Sequence, residues 1–193
     1  MGKVCLEGVG KFNHHYPAVA AVVTARVEEK ANAMAAAWHS CLSFEPPLYG
    51  VAISPKRFSH DLVLEAGEFG VNFLPFDKAG MIAAVGGSTG REVDKFEAFK
   101  IAEEKLVSTS VPILAEAYAA YECKLVSHHT FGDHTWFVGQ ILRVHLLEEA
   151  LTEEGVLNLE RVTPALYLGA DLYLGPGPES IRRLDRAVYG EVS

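Results

Sequence analysis

The chain alternates short apolar runs with polar breaks and has few stretches long enough for an extended helix. From Pro17 to Val27 the run PAVAAVVTARV is apolar and β-branched, then turns polar at Glu28-Glu29-Lys30, which predicts a mostly buried strand followed by a turn. Alanines in Asn32 to Trp38 favour helix, yet the segment has no charged face and Pro46-Pro47 follow closely. A helix there would be apolar all round, so the segment reads as a strand paired back on the first. Leu48 to Ile53 is a short apolar strand, held extended on entry by the prolines and closed by Pro55.

Ser59 to Ala66 reads as a helix, capped by Ser59 or the neighbourhood of Arg57, with apolar Leu62 and Leu64 and a stop at Gly67. Glu68 to Leu74 alternates as a strand does. Asp77 to Val85 predicts a second short helix, with Asp77 as N-cap and Gly86-Gly87 ending it, before a polar loop to Lys95. Ala117–Ser127 and Thr135–Leu147 read as long strands joined by HHTFGDH, where Gly132-Asp133 suits a hairpin turn. Leu166 to Leu174 is apolar and Tyr-rich, Gly175 to Pro178 is a break, and Glu179 to Val188 is a charged helical piece. No repeat or linker divides the sequence. The pattern predicts one mainly β domain over 1–193, a barrel with inserted helices, with 176–193 as a C-terminal extension.

Composition narrows the function. The 193 residues are 49% hydrophobic, enough for one core, and no window approaches a membrane-spanning length. No apolar segment follows the first basic residue, so no secretory signal is expected. A net charge of -8 argues against nucleic acid, whose binding needs clustered Lys and Arg. Cys5, Cys41 and Cys123 are scattered, without a CxxC, which favours a reduced, cytoplasmic setting over a disulfide framework or zinc knuckle.

Two neighbouring features suggest a bound molecule with a flat ring and a phosphate. Arg57 and Ser59 at a helix start offer a guanidinium fork, a hydroxyl and unpaired N–H groups to an anion. Taken alone, the local sequence favours reading Ser59 as an ordinary cap and Arg57 as a surface charge. The small residues between Asn32 and Ser43 leave room for a planar ring against backbone, with Trp38 as a wall; without the neighbouring anion site, a tight barrel strand is the favoured reading. His128, His129 and His134 match no metal-ligand spacing, so no metal is expected. Cys41, beside His39, reads as a small buried hydrophobe. Neither a P-loop nor a GxGxxG turn is present, so no nucleoside triphosphatase or Rossmann chemistry is indicated.

Asn32-x-Met34 leading to Ala37-Trp38, Ser43-x-x-Pro46-Pro47, the strand to Ile53 and Arg57-x-Ser59 form one pattern. It continues through Gly67-Glu68-Phe69-x-Val71-Asn72, Gly90-Arg91, Asp94-Lys95-Phe96 and Gly132-Asp133-His134-Thr135 to Val138-Gly139. Over roughly residues 10 to 175 this pattern resembles the flavin reductase-like family of FMN-binding split barrels, near its flavoredoxin branch. The resemblance implies a split β-barrel that binds FMN non-covalently at the interface of a homodimer. It places the phosphate at Arg57, Ser59 and His60 and the ring along Asn32, Ala33, Met34, Ala35, Trp38, Cys41, Leu42 and Ser43. Lys95 and Phe96 would close over the cofactor, Asn72 would support it, and His134 would stand near the open face. Ala35 departs from the family, which often has threonine there, and so lacks a hydroxyl. The implied activity passes electrons from NAD(P)H through FMN to an acceptor; the alternative is a non-enzymatic carrier serving a protein redox partner. No catalytic side chain is assigned, because the cofactor carries the chemistry.

Overall fold

The structure, a computed structural model, describes residues 2–184 and 186–189, with the side chains of 188 and 189 excepted. A hairpin opens the main sheet: β2 (Ala21–Val27) turns at Glu28, whose φ is 51°, and returns as β3 (Lys30–Ala36), preceded by the short β1 (Ala18–Val19). The edge strand β4 (His39–Ser43) pairs with β5 (Leu48–Ile53), and α1 (Phe58–Ala66) then leads into β6 (Glu68–Phe73). After α2 (Ala79–Gly87) and the single turn α3 (Lys95–Ala98) come the long strands β7 (Ala119–Phe131) and β8 (His134–Leu146).

The seven-stranded antiparallel sheet runs β3-β2-β6-β7-β8-β5-β4. It curls so that terminal β3 approaches β5 near the opposite end, which makes a partly open barrel. β9 (Leu166–Gly169) pairs with both β1 and β10 (Leu172–Leu174) in a second, small sheet. This is the mainly β, barrel-with-helices architecture expected.

Strand β2 explains the placement of the helices. Ala21, Val23 and Ala25 face the barrel core with Val51, Phe69, Val71 and Phe137, whereas Val22 faces a second core with Leu74, Ile82, Val85 and Leu114. A strand covered on both faces is largely apolar, as Ala21, Val22, Val23 and Ala25 are here. The second core seats α2 and α3 against the β2–β3 hairpin, so the loop between them hangs over β3.

Several local expectations are corrected. Of the two cap positions the sequence offered, Arg57 occupies the α1 N-cap, but no side chain caps that helix. Leu62 and Val63 form its buried face, while Leu64 is 40% exposed. Asp77 lies in a 3-10 turn, Phe76–Lys78, and does not cap α2. HHTF belongs to β7, leaving Gly132-Asp133 as a two-residue turn. The C-terminal piece is a 3-10 turn at Pro178–Ser180 and a short helix, Arg186–Tyr189; residues 185 and 190–193 lie outside the described residues.

Candidate functional site

Two adjoining cavities, of about 310 and 210 Å3, form a cleft between β3, the start of α1 and the loop after α2. They share Ala35, Arg57 and Gly86. The smaller end is lined by Lys56, Arg57, Ser59, Thr89 and Lys95 and by no carboxylate. Arg57 and Lys56 form no ion pair among the described residues, whereas nearby Arg91 is bound to Asp61 at 2.7 Å. Unneutralised cations around one cavity favour an anion there. The uncapped first turn of α1 adds its free N–H groups and the positive end of its dipole.

Asn32 Nδ2 donates to Ser59 Oγ at 2.8 Å, which leaves the serine hydroxyl hydrogen for another acceptor. Asn32 Oδ1 is buried without a partner. A buried amide oxygen costs free energy unless something donates to it, so this orphaned atom points to an absent polar ligand. Gly90 lies so close to this amide and to Phe58 that any side chain there would displace them.

Lys95 is 2% exposed, and its ammonium donates to Ala33 O at 2.8 Å and Val85 O at 2.7 Å. The second carbonyl lies in the last turn of α2, where the helix dipole favours a cation. Burial, and then the charge of Arg57, lower the Lys95 pKa to about 8. With two hydrogens engaged, the third remains for a ligand.

The larger end has a wall of small residues, Ala20, Ala35, Ala36, Ala37, Ala83, Gly86 and Gly87, and an aromatic end formed by Tyr167 and Tyr173, with Asp171 between them in sequence. A Cβ on Gly86 would stand 3.1 Å from that of Ala35, so bulk at either position would narrow the cleft. Because β3 is the terminal strand of its sheet, its outer N–H and C=O groups are available to a flat molecule.

Of the residues expected from sequence, Asn32, Met34, Ala35, Arg57, Ser59 and Lys95 line this cleft. Ala33 contributes its carbonyl to Lys95, while its side chain lies in the second core. Phe96 packs against that core. His60 turns the other way, onto Thr135 Oγ1 at 3.0 Å and the Phe137 ring. Asn72 is fully engaged within the protein, donating to Val22 O and Thr24 Oγ1 and accepting from Leu114 N. It ties β6 to β2 and to the chain before β7.

Trp38 lines a separate cavity of about 220 Å3 with Phe131, Asp133, His134 and Trp136. Cys41, Leu42 and Ser43 lie on edge strand β4 outside the cleft, and Cys41 is exposed where a buried residue was expected. His128 and His129 point to opposite faces of β7, and His134 pairs with Asp133 at 2.8 Å. Among the described residues no three His, Cys, Asp or Glu converge as a metal site would require. Sequence reasoning missed Lys56, Gly86, Gly87, Ser88, Thr89, Gly90, Tyr167, Asp171 and Tyr173. The Gly86-Gly87 pair was visible but reads as a helix stop, and Tyr167 and Tyr173 read as ordinary strand residues.

The flavin reductase like domain family matches residues 13–172. An FMN-binding protein from Thermus thermophilus, solved with bound 1-cyclohex-2-enone, is 42% identical with a TM-score of 0.82, covering 95% of this chain and 98% of that one. Flavoredoxin from Methanosarcina acetivorans is 26% identical with a TM-score of 0.83, covering 99% and 100%. The reductase component of FADH(2)-dependent resorcinol hydroxylase from Rhizobium sp. is 30% identical, covering 74% of this chain and 80% of that one. The chain spans 61%, 77% and 83% of the lengths of three further curated relatives it matches.

Proposed function

The chain belongs to the flavin reductase like family and has that family's split-barrel fold, and from this premise we propose that it is an FMN-binding oxidoreductase passing electrons from NAD(P)H to an acceptor. The observation that carries the cofactor assignment is the carboxylate-free cavity holding Lys56, Arg57 and Lys95 beside the orphaned Asn32 amide oxygen. Lys56, Arg57 and Lys95 would offset the charge of a terminal phosphate, and Ser59 and Thr89 would donate hydroxyl hydrogens to it. The outer edge of β3 would offer backbone groups to the ring, and Tyr167 and Tyr173 would keep water from its far end. When bound, the flavin supplies the two-electron redox chemistry. The protein's own contribution is orientation and electrostatic tuning.

Supporting the choice of FMN is the 42% identical FMN-binding relative. Titrating the purified chain with FMN, FAD and riboflavin while following flavin fluorescence tests it. Binding no tighter for FMN than for riboflavin overturns the phosphate assignment. Anaerobic addition of NADH and of NADPH tests the reductase reading, which fails if bound flavin stays oxidised with both. In that case the second reading stands, an electron carrier for a protein partner, which the flavoredoxin similarity over 99% of the chain favours. A homodimer belongs to the same proposal. Its support is exposed apolar surface on β4, just after it and on the small sheet, at Leu42, Phe44 and Leu172 respectively, and light scattering tests it.

A further inference from the structure

The cavity of about 220 Å3 beside Trp38 shares no lining residue with the cleft. Its lining is Trp38, Ala52, Phe131, Asp133, His134 and Trp136. Along β8, Thr135 and Phe137 are buried, so strand alternation turns Trp136 to the opposite face of the sheet. There its ring lies against Gly50 of β5, where a Cβ would run into it, and Ala52 is its partner in register. Phe131 and His134 face each other across the Gly132-Asp133 turn. Trp38 is held in place: its Nε1 donates to Tyr16 Oη at 3.2 Å, and its ring centroid lies 5.5 Å from Phe12 and 4.8 Å from His134. Both tryptophans of the chain thus stand at one small surface cavity, and neither belongs to a core. Contiguous rings left partly open to water mark a binding surface.

The chemistry of the walls selects the occupant. Aromatic faces are negative and attract a cation. Asp133, largely exposed, adds a formal charge of the same sign. His134 Nδ1 donates to it at 2.8 Å and holds its carboxyl below the ordinary carboxylate range, and no lysine or arginine among the described residues pairs with it. Beyond that carboxylate and the other ring nitrogen of His134, the lining side chains offer no hydrogen-bond acceptor. A primary ammonium is strongly hydrated and brings three N–H groups to satisfy, whereas a quaternary ammonium brings none. The cavity is smaller than the roughly 300–1,000 Å3 of a site for a drug-sized molecule, so it suits a compact head group.

We propose that this cavity binds a quaternary ammonium head group, caged by the rings of Trp38, Phe131, His134 and Trp136. The site is separate from the flavin cleft and stands whether or not the cofactor reading does.

Because the cage holds both tryptophans, intrinsic fluorescence of the purified full chain reads its occupancy directly. Choline is titrated beside 3,3-dimethyl-1-butanol, its neutral counterpart of the same shape, and ethanolamine, which carries a primary ammonium. Choline is expected to shift the emission saturably, and the other two to bind about tenfold or more weakly, as partly desolvated cation–π contacts require. Trp136→Phe is expected to weaken choline about threefold and Trp136→Leu about tenfold, with FMN affinity unchanged in both. The comparison of choline with the alcohol needs no variant, so it decides the question if Trp136→Leu does not fold. No saturable response to choline, equal binding of choline and either comparator, or native choline affinity in Trp136→Leu overturns the proposal.

Discussion

Raising the pH through about 8 should weaken FMN binding while leaving riboflavin binding nearly unchanged, because Lys95 titrates there and only FMN carries a phosphate. Burial, and then Arg57, lower the Lys95 pKa from its ordinary 10.5 to about 8. The free protein therefore loses this charge above about pH 8. A phosphate dianion beside Lys95 favours the ammonium, so the complex holds the proton to higher pH and binding takes up a proton. Each pH unit above 8 then raises the FMN Kd by up to about tenfold, or about 1.4 kcal/mol.

The stability of the free protein moves the opposite way. The folded pKa lies below the unfolded one, so between about 8 and 10.5 the unfolded chain binds more protons and stability rises with pH. Weakening through incipient unfolding is thereby separated from weakening through Lys95. The assay is fluorescence titration with FMN and riboflavin in parallel from about pH 7 to 9.5, with thermal melts of the free protein. An FMN Kd that stays flat, or that follows the riboflavin Kd, refutes the reasoning.

Three further outcomes follow from the same structure. Arg57→Ala removes a cation with no internal partner, so its Tm should stay near the native value while FMN affinity falls about 10- to 100-fold, as loss of a charge-assisted hydrogen bond requires; melting and fluorescence titration check both halves. Gly90→Ala pushes a methyl group into the Asn32 amide and the Phe58 ring, and should weaken FMN binding about tenfold while lowering stability by about 1–3 kcal/mol. Glu122 is fully buried; burial pushes its carboxyl up, but hydrogen bonds from His145, Ser108 and Thr109 together outweigh that and hold it below its ordinary 4.5. Its stabilisation is therefore complete above that value and lost as pH falls through the folded pKa, so urea melts at descending pH should show a steeper acid loss in the native chain than in Glu122→Gln.

Much of the frame was legible because it depends on local periodicity. The apolar run through Ala21 to Val27, the Glu28 turn and the short strand Leu48–Ile53 each bury one or both faces, and that need is written into neighbouring residues. That Arg57 and Ser59 line the cleft was legible because both stand at a helix start, where N–H groups are left open whatever surrounds them. Asn72 and His60 were misplaced for the converse reason. Each is polar in an apolar stretch, and only the tertiary contacts reveal that Asn72 bridges Val22, Thr24 and Leu114 while His60 meets Thr135.

By itself, then, the sequence determined the mainly β frame, the main turn positions and the polar start of α1 that lines the cleft, since these follow from burial and backbone hydrogen bonding within a few residues. The tertiary structure decided which residues face the cleft. Lys95 reaches across from α3 to Ala33 O on β3, Gly90 closes over Asn32, and Tyr167 and Asp171 come from a separate small sheet. A site assembled from segments so far apart along the chain has no local period to betray it. It exists only once the barrel has curled and the second core has seated α2 and α3 over β3.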